Sequence, residues 1–481
     1  MIPRIQTEKA RVGTFAVAHR PYDAQFPGLF DRLKTYHADF LKILVDNGVE
    51  TVDTGLVTTH EESEKAAALF AGAGVDLIFV NMVTYATSSL FAPVVRKNLA
   101  PVIPVALQPR ACLDYTNGST RLQLENDNIC AVPEFIGVAA RLGHPVADTV
   151  IGRLYGDEKA KAEIREWCDI AGVLHALHGA RLGLMGHTME AMYDMHTDPT
   201  ALSAAFGLHV PLLEADEAVS LYRAVTPEEI RRETELIRRE FDRPEPGSDP
   251  LTRRLTPEDE ERAARGAAAL RTLVARHRLT GLAYYYEGEP ESLTREVVSS
   301  FIVGNSLLLA SGVPMCGEYD IKTLVAMLIF DRLGIGGSFA EFHPIDFNEN
   351  FILVGHDGPH HLAIAEGKPI LRSLSKYHGK PGAGASVEFK IREGDMTLMG
   401  LTQTAAGRFR MIIGEGISEK GPIPPTGNTN TRAYFPPDTL SFVRRWVMAG
   451  PTHHFALGVG HRAGTLVKIA RVLGVEYEVI R

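Results

Sequence analysis

Val75-Asp76-Leu77-Ile78-Phe79-Val80 ends in four consecutive apolar side chains. Side chains on a strand alternate between its two faces, so an unbroken apolar run is a strand covered on both sides. Residues 102–106 (VIPVA) read the same way, and residues 12–18 (VGTFAVA) form a third short apolar run. Helix-length segments lie between these runs, at 33–44 (LKTYHADFLKIL) and 61–70, with a short strand-like ETV at 50–52. Doubly covered strands alternating with helices predict an α/β fold: a parallel sheet with helices on its faces.

Further along, residues 145–177 predict one long helical region, and residues 180–185 (ARLGLM) a strand opening a second α/β unit. Thr226-Pro227-Glu228-Glu229 and Thr256-Pro257-Glu258-Asp259 each place a Thr cap before a Pro at the first helical turn, with an acid positioned to reach back. The Pro/Gly-rich break at 243–249 (RPEPGSD) between them predicts a surface turn. After Gly336 the texture changes to strand-like runs at 351–354, 386–391, 396–399 and 408–413, followed by one clear helix at 440–448. The expected plan is an N-terminal α/β domain (1–178), a central α/β domain (179–336) and a C-terminal β-rich, barrel-like domain (337–481).

Composition narrows the function. The chain has 481 residues, is 45% hydrophobic and 23% charged, and carries a net charge of −9. A mildly acidic surface gives no general attraction to phosphate backbones, so no nucleic-acid partner is expected. The longest uncharged apolar stretch, 298–315, is interrupted by Ser299, Ser300, Asn305, Ser306 and Pro314, and reads as a buried helix running into a strand. No export signal and no membrane association are expected. Cys112, Cys130, Cys168 and Cys316 form no CxxC pair and are expected to be reduced, mostly buried thiols of a cytoplasmic protein. No P-loop, dinucleotide fingerprint, GxSxG or HExxH occurs.

Histidines concentrate late in the chain. Eight of the eighteen lie from residue 343 onward: His343, His356, His360, His361, His378, His453, His454 and His461. Three patterns accompany them. Glu318 follows an apolar run and opens a helix (CGEYDIK, 316–322), Glu341 follows a glycine-rich turn (GGSFAE, 336–341), and His356 closes a strand (ILVGH, 352–356). Two carboxylates with one or two imidazoles would make a divalent metal site with open positions for water or substrate. His360 and His361 read as loop residues rather than ligands.

GEYDIKT (317–323), SFAE (338–341), NFILVGHDGP (350–359) and AGPTHHF (449–455), in this order, resemble the L-arabinose isomerase family, and the likeness runs along nearly the whole chain. The resemblance implies an aldose–ketose isomerase with a Mn²⁺-type site (Co²⁺ or Mg²⁺ serving as well) held by Glu318, Glu341, His356 and His454. Glu318 and Glu341 would also transfer protons. It implies a homo-hexamer or other homo-oligomer with sites near subunit boundaries. In such a reaction a divalent ion polarises the carbonyl and stabilises a cis-enediolate while acid and base groups move hydrogen between C1 and C2.

The resemblance assigns substrate contacts to His453, His19, Asp127, Cys130 and Met189. Here the chain departs from the family: His19 stands where a Gln is usual, Asp127 and Cys130 fall where Gln and His contacts belong, and Phe342-His343 replace an Asp-Tyr pair. The expected substrate is therefore a monosaccharide other than L-arabinose. Two alternatives stand beside this: an isomerase or epimerase of a branched, six-carbon or deoxy sugar, and a non-catalytic sugar-binding protein. Retention of both acids argues against the last.

Overall fold

A computed structural model describes residues 2–5, 8–189, 192–245, 253–374, 382–426 and 428–481. Residues 246–249 of the Pro/Gly break and His378 lie outside the described residues. The chain divides into two compact units, Thr7–Ala176, and Met1–Gln6 with Leu177–Arg481.

The Thr7–Ala176 unit is built on a five-stranded parallel sheet: β1 (Arg11–Val17), β2 (Glu50–Val57), β3 (Leu77–Met82), β4 (Val102–Gln108) and β5 (Val150–Arg153), in the order β2-β1-β3-β4-β5. All six residues of β3 are buried, as its apolar run requires. The helix Leu29–Asp46 buries Leu29, Phe30, Leu33, His37, Phe40 and Leu44, a stripe spaced by three and four residues. The helix His60–Ala73 starts with a capping box between Thr59 and Glu62. The region expected to be one long helix divides into β5 and the helix Glu158–His178. β5 is a four-residue edge strand in which only Val150 is buried, too short and too half-covered to stand out from the helical signal after it.

The second unit opens with another parallel sheet, of four short strands: β6 (Leu182–Met185), β7 (Leu212–Leu213), β8 (Gly281–Tyr284) and β9 (Met315–Cys316), ordered β7-β6-β8-β9. Both Thr-Pro openings form the expected capping boxes, at the heads of the helices Pro227–Glu240 and Pro257–His277. The apolar stretch becomes two consecutive helices, Leu293–Ser299 and Ile302–Ala310, followed by β9. Leu293–Ala310 is long and apolar enough to cross a membrane by composition, yet 72% of it is buried inside this chain.

The rest of this unit is a closed antiparallel barrel. Its strands are β10 (Gly336–Asp346), β11 (Phe351–His356), β14 (Gly394–Gln403), β15 (Phe409–Glu419), β16 (Thr429–Tyr434) and β17 (Phe455–Val459). The ring runs β14-β17-β10-β11-β16-β15 and closes through a β14–β15 ladder, with β18 (Glu476–Ile480) added in parallel to β15. β12 (Ile370–Ser373) and β13 (Ala385–Glu388) form a separate two-stranded ribbon. The expected helix is observed as Thr439–Met448, where Trp446 and Phe442 pack with Phe435 in the barrel core. A second helix, Ala463–Leu473, was not expected. It is a short amphipathic segment between two strands, and its apolar residues blend into their signal.

One further expectation changes. Cys112 and Cys130 are exposed and only Cys168 and Cys316 are buried, so half of the thiols, not most, are sequestered. The β10–β11 hairpin has an irregularity: Glu341 pairs with Gly355 and Phe342 with Val354, then the register shifts before Ile345–Ile352 and Asp346–Phe351. This is a β-bulge one residue beyond a candidate site residue.

Candidate metal centre

Three of the four proposed ligands sit on or immediately before adjacent strands of the barrel. Glu341 lies on β10, His356 ends β11, and His454 immediately precedes β17. Glu341 faces Gly355 across the β10–β11 ladder, and His356, the next residue at the strand end, brings its Nε2 to 4.0 Å from Glu341 Oε1. On the other side β10 pairs with β17 through Ala340–Phe455, so continuing that register by one residue brings Glu341 opposite His454. Gly355 has to be glycine: a Cβ there would lie 1.9 Å from the Thr429 carbonyl oxygen on β16. The close approach of β11 and β16 thereby fixes where His356 emerges.

Glu318 arrives from elsewhere, in the turn between β9 and the helix Ile321–Arg332. Nearly every residue of this helix is buried, from Ile321 through Asp331. Glu318 and Tyr319 have φ of 61° and 63°. Consecutive left-handed non-glycine residues cost on the order of 1–3 kcal/mol each, and such strain persists only where the surroundings hold it. Here the Tyr319 N–H donates to the Tyr284 carbonyl at the end of β8 (3.2 Å) and the Asp320 N–H to Gly317 (3.3 Å). The strained turn delivers the Glu318 carboxylate to the two histidines.

The distances define one cluster. His356 Nε2 is 3.7 Å from Glu318 Oε1 and 4.0 Å from Glu341 Oε1, and His454 Nε2 is 3.4 Å from Glu318 Oε2. Ligating atoms of Glu341, His356 and His454 lie within 4.8 Å of one another, as do those of Glu318, His453 and His454. Each ring turns Nε2 inward and commits Nδ1 outward: His356 Nδ1 donates to the Asp357 carbonyl (2.8 Å), and His454 Nδ1 donates to Asp320 Oδ2 (3.2 Å). Backing the outer nitrogen with an oxygen acceptor fixes the tautomer that leaves Nε2 free to bind a metal. Phe339 packs between the rings, with centroids 4.7 Å from His356 and 4.1 Å from His454.

The electrostatics fit a cation. Burial raises the Glu318 carboxyl, with Glu341 and Asp320 pushing the same way and His454 and His453 opposing. Burial, aided by His454, drives His356 well below its ordinary value, so its ring is neutral and has a lone pair to offer. Burial alone would raise Asp320 too, but the hydrogen bond and charge of His454, with Lys322 and the Thr323 N–H, hold it below the usual carboxylate range. Glu318 Oε2 is buried and makes no hydrogen bond. A buried carboxylate oxygen without a donor is costly. A divalent ion held by Glu318, Glu341, His356 and His454 would satisfy it, and two oxygen and two nitrogen donors suit Mn²⁺, Co²⁺ or Mg²⁺.

A small pocket opens against this cluster, lined by Glu318, His356 and Phe339 together with Tyr286, Val298 and Ile302. Met189, in the connection leaving β6, meets it through Tyr286, whose hydroxyl lies 3.8 Å from Met189 Sδ. His453 packs against His454, with ring centroids 3.8 Å apart and the rings tilted by 42°. His19, Asp127 and Cys130 belong to the other compact unit. There His19 follows β1, donates its backbone N–H to Tyr85 (3.0 Å) and packs against Tyr22 and Tyr85. Burial raises the Asp127 carboxyl, and burial with Asp127 and Glu134 raises the Cys130 thiol.

His360 and His361 are loop residues, and both are buried with every ring nitrogen engaged. His360 Nε2 donates to the His356 carbonyl (2.7 Å) and its Nδ1 accepts from Ser338 Oγ (2.8 Å). His361 Nε2 donates to Asp331 Oδ1 (3.5 Å) and its Nδ1 accepts from the Ala363 N–H (3.2 Å). Sequence reading missed Asp320 as the acceptor behind His454. The available signal was helix capping, since Asp320 accepts from the Thr323 N–H in the N-cap position. Asp194, which holds His453, had no signal, because the two are 259 residues apart.

Residues 336–476 match the family model of the L-arabinose isomerase C-terminal domain. A curated relative, the L-arabinose isomerase of Aeromonas salmonicida (strain A449), is 22% identical over 420 residues, covering 84% of this chain and 80% of that protein. Among solved structures, a two-component response regulator/GGDEF domain protein aligns with 67% of this chain and 99% of its own at 10% identity. A C2-type ketoreductase of a modular polyketide synthase aligns with 64% and 78% at 12% identity. Both have a TM-score of 0.20 and bear on neither fold nor function. The C-terminal barrel thus matches the L-arabinose isomerase C-terminal domain directly, and the chain as a whole is similar to an L-arabinose isomerase over most of both lengths.

Proposed function

We propose that the protein is a divalent-metal-dependent aldose–ketose isomerase whose preferred sugar is not L-arabinose. The observation that carries this reading is the convergence of Glu318, Glu341, His356 and His454, with Nε2-to-carboxylate separations of 3.4–4.0 Å beside a pocket. A divalent ion bound there would polarise the substrate carbonyl. The rest falls to the protein. Glu318 and Glu341 both reach His356 Nε2, at 3.7 and 4.0 Å, so one could remove a proton from one carbon while the other serves the neighbour. Such acid–base participation contributes about 10²–10⁴-fold. Burial holds Glu318 closer to neutral pH than an ordinary carboxyl, which suits a group that must both take and give a proton. Phe339, Val298 and Ile302 keep the cavity wall apolar and limit water around the reacting carbons.

The sugar-contacting residues differ from the family at His19, Asp127 and Cys130, so the hydroxyl pattern that can be satisfied differs too. A site that hydrogen-bonds particular hydroxyls rejects mismatched sugars by about 10⁴–10⁵-fold, because buried polar groups are left unpaired. A homo-oligomer, hexameric by resemblance, belongs to the same reading and is checked by light scattering. The deciding experiment is a panel of aldoses incubated with chelator-treated protein, with and without Mn²⁺, and assayed for ketose. Metal-dependent conversion of at least one aldose is expected; no conversion across the panel would overturn the proposal.

A further inference from the structure

His453 and His454 are adjacent, both approach Glu318, and each has a carboxylate on its Nδ1. His454 donates to Asp320 Oδ2 at 3.2 Å; His453 donates to Asp194 Oδ2 at 2.6 Å, and the His453 backbone N–H reaches the same oxygen at 3.0 Å. Burial separates the two pairs. The side chains of His454 and Asp320 are 1% and 0% exposed, whereas those of His453 and Asp194 are 37% and 39% exposed. One pair is sealed in the protein; the other stands open to whatever enters the site.

Asp194 lies in the short 3₁₀ turn Tyr193–Met195, on the connection that leaves β6. Several contacts fasten this connection. Lys322 Nζ donates to the His196 carbonyl (3.1 Å), Thr197 Oγ1 donates to Gln403 (2.7 Å), and Met189 meets the Tyr286 hydroxyl (3.8 Å). Asp194 is thus carried on a braced segment.

We infer that Asp194 is a positioning residue for the reaction. By engaging both the backbone N–H and Nδ1 of His453, it fixes the ring orientation and tautomer and presents Nε2 to a sugar oxygen beside Glu318. The inference rests on the isomerase reading for its substrate. Its structural part, the His453 tautomer, stands apart from turnover. Oriented donors and acceptors of this kind are what binding geometry supplies to catalysis, and small misplacements are expensive.

The test compares wild type with Asp194→Ala and Asp194→Asn. Histidine-selective ¹⁵N NMR should show His453 with its proton on Nδ1 in wild type and Asp194→Asn, and on Nε2 in Asp194→Ala. Mn²⁺ titration by calorimetry should give the same Kd and stoichiometry for all three. On the aldose that wild type converts fastest, Asp194→Ala should lower kcat by about 10–100-fold with KM within about twofold, because orientation rather than uniform binding is lost. Asp194→Asn, which keeps an acceptor oxygen, should restore most of kcat. An unchanged tautomer in Asp194→Ala, a parallel loss of Mn²⁺ affinity, or a kcat within about twofold of wild type would each overturn the inference. If wild type converts no aldose, the isomerase reading fails while the NMR and Mn²⁺ measurements still decide the role of Asp194.

Discussion

Asp320 stands directly behind His454: the imidazole donates Nδ1–H to Asp320 Oδ2 at 3.2 Å, while the same carboxyl group accepts from the N–H and hydroxyl of Thr323. One fully buried side chain therefore orients a candidate ligand and caps the helix Ile321–Arg332. Replacing it should damage both functions. Asp320→Asn is expected to weaken Mn²⁺ binding by about 10–100-fold, the usual cost of losing an outer-shell carboxylate. Asp320→Ala should in addition lower stability by roughly 1 kcal/mol for the lost cap. Calorimetric titration and urea unfolding separate the two effects.

Metal removal gives the second prediction. Dialysis against EDTA should abolish isomerase activity, and Mn²⁺ or Co²⁺ should restore it better than Zn²⁺, since a two-carboxylate, two-imidazole set with open positions suits six-coordinate ions. Full activity in the metal-free protein would exclude this mechanism.

The third prediction contrasts two histidines. His454→Ala should reduce bound metal per subunit, measured by elemental analysis. His361→Ala should leave metal content near wild type but lower the melting temperature, because it exposes a void beside buried Asp331 and strands the Ala363 N–H. Equal metal loss in the two variants would mean that the ligand assignment is wrong.

Asp331 sets the fourth, through pH. Burial alone would raise this carboxyl, but hydrogen bonds from His361 and Arg4 and the charge of Arg332 bring it down from 3.8 to about 2. A carboxyl whose folded pKa is depressed adds stability that is fully present above its unfolded pKa and disappears as pH falls through the folded one. The contribution should therefore be lost between pH 3.8 and about 2. Urea midpoints of wild type and Asp331→Asn should differ most above pH 4 and converge as pH approaches 2. A constant difference across that range would contradict the assignment.

Specificity is the fifth. L-Arabinose should be a poor substrate, and Cys130→His with Asp127→Gln should shift relative kcat/KM toward it while metal content stays unaltered. If wild type already prefers L-arabinose to every other sugar tested, the departures at these positions do not govern specificity.

The sequence made the frame legible wherever one physical signal dominated. The apolar run at 77–80 can only be a doubly covered strand, and the Thr-Pro-Glu-Glu and Thr-Pro-Glu-Asp openings formed the capping boxes their chemistry demands. Legibility failed where signals were short or shared. β5 offers one buried residue, and the helix Ala463–Leu473 sits between strands of similar composition. At the site, Glu318, Glu341, His356 and His454 could be nominated from local patterns and family resemblance. The packing of Phe339 on His454 and the hold of Asp194 on His453 could not, because each is a contact across more than 100 residues of chain, and Asp320 offered only a helix-capping signal. Nor could sequence foresee the left-handed turn at Glu318 and Tyr319, where no glycine advertises a positive φ.

The bulge between Phe342 and Ile345 divides the β10–β11 hairpin into two independently adjustable parts. On the barrel side, Glu341 and His356 are locked by the Glu341–Gly355 pairing; a one-residue slip there would turn Glu341 to the opposite face of the sheet. On the far side, beyond the bulge, the hairpin continues to an exposed tip at Phe347. Insertions or deletions at that tip can be absorbed where the ladder is already out of step, before they reach the acid. This hairpin is therefore the place to graft a new recognition loop without disturbing the candidate ligands a few residues away.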